Sequence, residues 1–480
     1  KKMEIDEITT ITQEQNKDPP TDKLYLNYIS CLLLGIGGLA PVNTFMLAID
    51  FYESTYNIGS VAYMINFGFN GGQFIGLIIL FISHRFCGKL IGPRIVICYV
   101  MNFVMILATL LLNIFGGTIG MQYPTFIKNI FYGITMGCML LSGVCTGCSI
   151  GTALSYVAPL PLMYTQAVVA GLSISGVIFS ITRITIKSIL DFGVGNNGYL
   201  DTQTLNVISM IIFFIITLIL ELIAIGSFTT IHSILSFTSY YNNGVQDNKS
   251  YEEDMLDNSN VNHSIKMEKY SSASLDEANY MDTDTENYND ELIVGDKTDD
   301  EPPKPKSDLM IFLKVLWKYK YLCPSMSFTY LVTFFLGPGI ISDIKTESNW
   351  LNQNSWWQVL IISVFLCSDC LGRMSPRWKR TIIFDFSELY VFSVLRIIFI
   401  PVIFFMINPR YIVGDFLTIV IVSLLGVTNG YLVSVLIMKS PTLLYSYEKQ
   451  YGGMVVTVFM NSGIVIGSLI SLILKSVIPK

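Results

Sequence analysis

Apolar positions along the chain gather into eleven runs, near residues 24–51, 60–83, 91–115, 126–157, 163–186, 205–230, 321–341, 356–372, 382–407, 416–438 and 454–478. About 20 apolar residues in a helix cross the hydrocarbon of a bilayer, and each run reads as one such helix. The fourth is long for a single span, and Pro159 and Pro161 close it, because proline disfavours helix in the residue before it. Within hydrocarbon every backbone N–H and C=O needs a partner inside the segment, so an all-α membrane fold is expected. The polar interruptions divide the chain into a tail over 1–23, a six-helix half over 24–235, an acidic loop over 236–309 and a five-helix half over 310–480.

Composition agrees with this pattern. Apolar residues form 52% of the chain and charged residues 14%, where a soluble protein carries about 25% charged. The net charge of −6 arises in one segment, since residues 247–308 hold 18 acidic residues against 6 lysines. Elsewhere the balance is basic, and nothing points to a nucleic-acid partner. The acidic segment has too little apolar content to bury a core and is expected to be disordered. Positive residues then orient the bundle. Arg85, Lys89 and Arg94 follow the second run; Arg373, Arg377, Lys379 and Arg380 follow the eighth; Lys304, Lys306, Lys314, Lys318 and Lys320 precede the seventh; Lys439 and Lys449 follow the tenth. The alternate loops hold little beyond Lys128, Lys345 and Arg410. This asymmetry places the amino terminus and the acidic loop in the cytosol and, with an odd number of spans, the carboxyl terminus outside a membrane read as the plasma membrane. The sequons at Asn248 and Asn262 are then cytosolic and expected to carry no glycan.

Charges inside apolar runs carry the candidate chemistry. Asp369 and Arg373 stand at i and i+4 in the eighth run. A charge near the centre of such a helix costs about 2.5–3.5 kcal/mol on insertion scales, so the pair needs protein or water around it. A structural ion pair is one reading. The other is a substrate site, where a planar fork of donors beside a planar acceptor suits a polar, planar ligand such as a purine or a ribose. Arg183 and Lys187 lie one turn apart at the end of the fifth run; Arg183 is the deeper and suits a carboxylate partner, while Lys187 is expected to snorkel to the interface. Glu221 and Arg396 are buried-charge candidates, and Asp385 and Glu388 read as boundary charges. Small residues recur at four-residue spacing, at Gly133, Gly137, Gly143, Gly147 and Gly151 in the fourth run, with Gly171, Ser175, Gly176, Gly463 and Gly467 elsewhere. Such stripes let membrane helices approach closely. The CxxC spacings at Cys145/Cys148 and Cys367/Cys370 fall on these helices and read as small buried residues. The histidines, His84, His232 and His263, sit at span ends or in the acidic loop, and neither a phosphate-binding GxxxxGK[ST] nor an HExxH occurs. An enzyme is therefore not expected, nor a cofactor or metal.

Several ordered pieces resemble a family, the equilibrative nucleoside transporters. They are Pro19-Pro20 and Asp22-Lys23 leading into Leu34-Gly35-Ile36-Gly37 and Pro41-Val42-Asn43, then Ser368-Asp369-Cys370-Leu371-Gly372-Arg373, Arg396 with Pro401, and Gly426-Val427-Thr428-Asn429-Gly430-Tyr431. The fifth run, with Gly171, Ser175-Gly176, Arg183 and Lys187, looks most like protozoan members. The resemblance covers all eleven runs. It implies a major-facilitator-like six-plus-five bundle that moves nucleosides or nucleobases by alternating access, some members being coupled to protons. It also implies a substrate site on Asp369 and Arg373, joined by Asn43, Val42 and Thr146; Arg183 and Arg396, read from their place in apolar runs, are expected to be structural or coupling charges. Val42 stands where many members have Trp, and Thr146 where many have Gln. The charged half of the site is kept while the base-reading half departs, so a carrier of another small polar solute is the alternative, and a channel a further one.

Overall fold

The computed structural model describes residues 25–56, 61–87, 91–118, 125–157, 160, 162–194, 202–230, 308–353, 356–377, 384–407, 414–445 and 448–477. The tail over 1–23 and most of the acidic loop over 236–309, with both sequons, lie outside the described residues. So do Lys89, Lys379, Arg380, Arg410, His232 and His263.

Among the described residues, eleven helices are long and apolar enough to cross a membrane. We label them α1 Leu26–Leu47, α2 Val61–Leu80, α3 Gly92–Phe115, α4 Phe126–Leu154, α5 Met163–Phe192, α6 Thr204–Thr229, α7 Leu322–Ser342, α8 Trp356–Met374, α9 Phe386–Ile407, α10 Asp415–Lys439 and α11 Tyr451–Val477. Among the described residues there is no strand. Exposed Ile79, Ile82, Leu111, Ile223 and Ile473 give the bundle an apolar exterior suited to lipid.

Local sequence accounts for the breaks. The first run is not one helix: it stops at Leu47 and a second, Ile49–Tyr56, follows. The Leu47 carbonyl at this break accepts Arg183 Nε at 3.3 Å, a bond that a continuous ladder would have taken. The helix of α4 ends at Val157, before Pro159. In α7 the turn at Gly337 and Pro338 separates Leu322–Leu336 from Gly339–Ser342. In α9 a 3-10 turn at Arg396–Ile398 precedes Pro401, whose missing N–H loosens the ladder there. Asp385 caps α9 in a box with Glu388, whose Oε2 accepts the Asp385 N–H at 3.0 Å.

Helix pairing repeats between the halves. In the first, α1 packs on α5 and α2 on α4; in the second, α7 packs on α11 and α8 on α10. The seam consists mainly of α5 against α8 and α2 against α11. Each contact maps onto its counterpart by a shift of six helices, the internal repeat common among carriers, although no sequence repeat relates the halves. A large apolar core crosses this seam, with Phe45, Phe69 and Phe213 from one half and Leu336, Trp357 and Ile361 from the other. A second core, around Tyr319, Leu322, Leu389 and Val455, belongs to the carboxyl-terminal half alone.

The small-residue stripe of α4 is divided. A Cβ on Gly143 or Gly147 would run into the backbone of α2 at Phe69 and Gln73. Gly133 and Gly137 face open space, so the packing read from their spacing is not observed.

Candidate functional site

The i,i+4 spacing in α8 folds Asp369 and Arg373 together, with Arg373 Nε 2.8 Å from Asp369 Oδ2. Both side chains are nearly buried, at 11% and 12% exposure, and the charges offset each other away from bulk solvent. Arg373 meets Asp369 through Nε, which leaves its terminal nitrogens for other partners, and Tyr330 of α7 is an electrostatic neighbour of the guanidinium. Asn429 Nδ2 of α10 donates to the remaining oxygen, Asp369 Oδ1, at 2.6 Å.

Arg396 approaches the same group from α9. Its Nη1 donates to the Thr329 carbonyl at 2.7 Å and to Asn429 Oδ1 at 3.4 Å. Its Nη2 donates to the Leu425 carbonyl at 3.0 Å, and its Nε to Thr428 Oγ1 at 3.2 Å. The partners of this buried guanidinium are thus neutral oxygens, with Asp369 its electrostatic neighbour beyond Asn429. Spans α7 to α10 therefore converge on one carboxylate and two guanidinium groups.

The close approach of α8 and α10 makes this possible. A Cβ on Gly372 would strike the Val427 carbonyl, and one on Gly430 the Asp369 carbonyl. Glycine at both positions lets the two backbones touch, which carries Asn429 to Asp369.

The other expected site residues lie in the first half and are engaged there. Asn43 Nδ2 donates to Ser175 Oγ at 3.0 Å, joining α1 to α5. Val42 is buried in the apolar core. Thr146 is fully buried, and its hydroxyl accepts Asn102 Nδ2 of α3 at 3.2 Å. The structure brings Asp369, Arg373 and Arg396 together and holds Asn43 and Thr146 in separate pairs.

Arg183 and Lys187 converge on a carboxylate that sequence reasoning passed over, Asp50. Arg183 Nη2 reaches its two oxygens at 3.0 and 2.8 Å, and Lys187 Nζ is 3.0 Å from Oδ2. Lys187 does not snorkel. It is fully buried, bonded to Asn206 as well, and 5.7 Å from the centre of the Trp356 ring. Its partner draws it inward, and the signal for that partner was a lone acidic residue ending an apolar run. Glu221 is buried in α6, with neither carboxylate oxygen hydrogen-bonded among the described residues.

Polar contacts across the seam gather at the face where α1 ends and α2 begins. Tyr63 donates to Asp343 Oδ2 at 2.6 Å, an oxygen that also takes Lys475 Nζ at 2.6 Å. Gln358 donates to Glu53 at 2.7 Å and Trp356 Nε1 to Asp191 at 2.9 Å. Phe192 stacks on Trp350, ring centres 5.6 Å apart. Nearer the middle, Asn66 reaches the Phe334 carbonyl at 3.2 Å and Asn70 the Ser468 hydroxyl at 3.3 Å. The halves are closed over this face.

A family model described as "Nucleoside transporter" matches residues 136–476. The chain is 23% identical to equilibrative nucleoside transporter 4 of Danio rerio over 94% of its own length and 84% of that protein's. It is 24% identical to equilibrative nucleotide transporter 1 of Arabidopsis thaliana over 95% of its length and 87% of that protein's. Among solved structures, a partially occluded, inward-open form of the xylose transporter XylE from E. coli superposes with a TM-score of 0.50. That alignment covers 95% of this chain and 99% of the other at 10% identity, and the shared feature is the fold.

Proposed function

The chain belongs to the nucleoside transporter family, and from that premise we propose that it carries purine nucleosides or nucleobases through a site centred on Asp369 and Arg373. It is a carrier and not an enzyme, an integral membrane protein that works by facilitative transport with alternating access. The observation that carries the reading of the site is the one-point contact between the pair. Among the described residues each Asp369 oxygen accepts one bond, which leaves it a further acceptor direction, and Arg373 keeps terminal donors. Donor and acceptor side by side match a ribose diol or the polar edge of a purine. Asn43, Val42 and Thr146 form the facing wall in this proposal and contribute when the halves rearrange.

The closed face is the extracellular one in this reading. The 236–309 segment is then a cytosolic linker between the halves, the amino terminus is cytosolic, the carboxyl terminus extracellular, and the membrane the plasma membrane. A carrier of the same fold with a different small polar cargo is the second reading. It is favoured by Thr146, whose hydroxyl is already committed to Asn102.

The test is uptake of radiolabelled adenosine, inosine and hypoxanthine by cells lacking their own purine carriers. Saturable uptake of at least one, lost in Asp369→Ala with the protein still at the membrane, is the expected outcome. Absence of uptake of all three by protein shown at the surface would favour a different cargo. Uptake that never saturates would indicate a channel.

A further inference from the structure

The inference rests on the reading of Asp369 as a substrate acceptor, and it concerns what aims that carboxylate. Asn429 Nδ2 donates to Asp369 Oδ1 at 2.6 Å. The amide's direction follows from its other end, where Oδ1 accepts Arg396 Nη1 at 3.4 Å and meets Thr333 Oγ1 at 2.8 Å. Turned over, the amide would set two oxygens 2.6 Å apart and point a donor at a guanidinium. Thr333 has a single hydroxyl proton and also lies 2.8 Å from the Thr329 carbonyl, so Arg396 and Asp369 define the orientation. Arg396 is itself fixed by the carbonyls of Thr329 and Leu425. A chain of bonds thus runs from a buried cation through one amide to the carboxylate, and each bond polarises the next.

We propose that Asn429 is a positioning residue for transport. It holds Asp369 on Arg373 and keeps it from swinging towards Arg396, so that the open acceptor directions of the carboxylate face the substrate. Without the amide, two guanidinium groups compete for one carboxylate, and the donor–acceptor pair offered to substrate is lost.

Uptake kinetics with the amount of protein at the membrane measured in parallel provide the test. Asn429→Ala is expected to raise the half-saturation concentration about tenfold or more, the usual weight of a hydrogen bond to a charged group, with delivery to the membrane unchanged. Asn429→Asp places a carboxyl against Asp369, facing Arg373 of α8, Arg396 of α9 and the Tyr330 hydroxyl of α7. Ionised, that carboxyl repels Asp369 instead of donating to it, whereas protonated it can donate as the amide did. Uptake by Asn429→Asp, relative to the parent protein, is therefore expected to rise as the medium is acidified. Unchanged half-saturation with loss only of protein or maximal rate would overturn the proposal, as would an Asn429→Asp profile parallel to the parent at every pH. If Asn429→Ala does not reach the membrane, Asn429→Asp decides; failure of that variant to reach the membrane would mean a structural role and would also overturn the proposal. Asp369→Ala separates the two readings. If it transports normally the site itself is misassigned; if it fails while the Asn429 variants behave as the parent, only the positioning role falls.

Discussion

Asp50 stands between Arg183 and Lys187, shielded from solvent, one carboxylate serving two buried cations. Removing one partner from a buried ion pair costs about 3–5 kcal/mol, because the charge left behind has nothing to offset it. Asp50→Ala is accordingly expected to abolish delivery of folded protein, read as loss of the monodisperse peak of a fluorescent fusion in size-exclusion chromatography. Glu221 is equally buried, yet both of its oxygens are without a hydrogen-bond partner among the described residues. A glutamine there strands no cation, so Glu221→Gln is expected to give an unchanged peak in the same assay. The contrast was not legible beforehand. Arg183, Lys187 and Glu221 all stand out as charges in apolar runs, but spacing along one helix does not say which of them finds a partner on another. Asp369 and Arg373 were legible because partner and partner lie on the same helix, one turn apart. Asn429 was not, since an amide in a span signals far less than a charge.

At the scale of the element, the site depends on how closely α8 and α10 touch. A methyl group on Gly430 would meet the Asp369 carbonyl, and overpacking of this kind costs about 1–3 kcal/mol. Gly430→Ala is expected to separate the helices, weaken the Asn429 contact and reduce uptake severalfold at equal surface amount. Gly137→Ala has open space to fill, and uptake by that variant should match the parent. Both glycines belong to the same kind of sequence pattern. The spans themselves could be read from length and hydropathy, because the bilayer fixes how long an apolar helix must be. Which glycine meets a neighbour depends on helix rotation, and a four-residue spacing leaves that open.

For the whole molecule, the repeat of helix pairings across the two halves was invisible in the sequence because each half makes equivalent contacts with different residues. The α2–α4 pair is seated on Gly72, Gly76, Gly143 and Gly147, while α8–α10 uses Gly372, Gly426 and Gly430. The contacts that close one face, in contrast, are individually weak. The bond that crosses the seam there, Tyr63 to Asp343, ends on a carboxylate that is 35% exposed and that also pairs with Lys475 of its own half; a contact to so exposed a charge contributes about 1 kcal/mol. Asp343→Asn weakens the pair and the Tyr63 bond together. It is expected to shift the population towards the form open at this face by no more than about fivefold, seen as faster labelling of a cysteine placed at Val42 by a membrane-impermeant reagent. Unchanged labelling would mean that the apolar seam, and not these contacts, keeps the face closed.

Asp369, Arg373, Arg396, Asn429 and Tyr330 all come from α7 to α10, within one half of the protein. A reorientation that moves the halves as rigid bodies leaves every bond among them intact. The polar part of the cargo would then ride on one half throughout, as on the platform of a lift, while the other half acts as the door that decides which floor it faces.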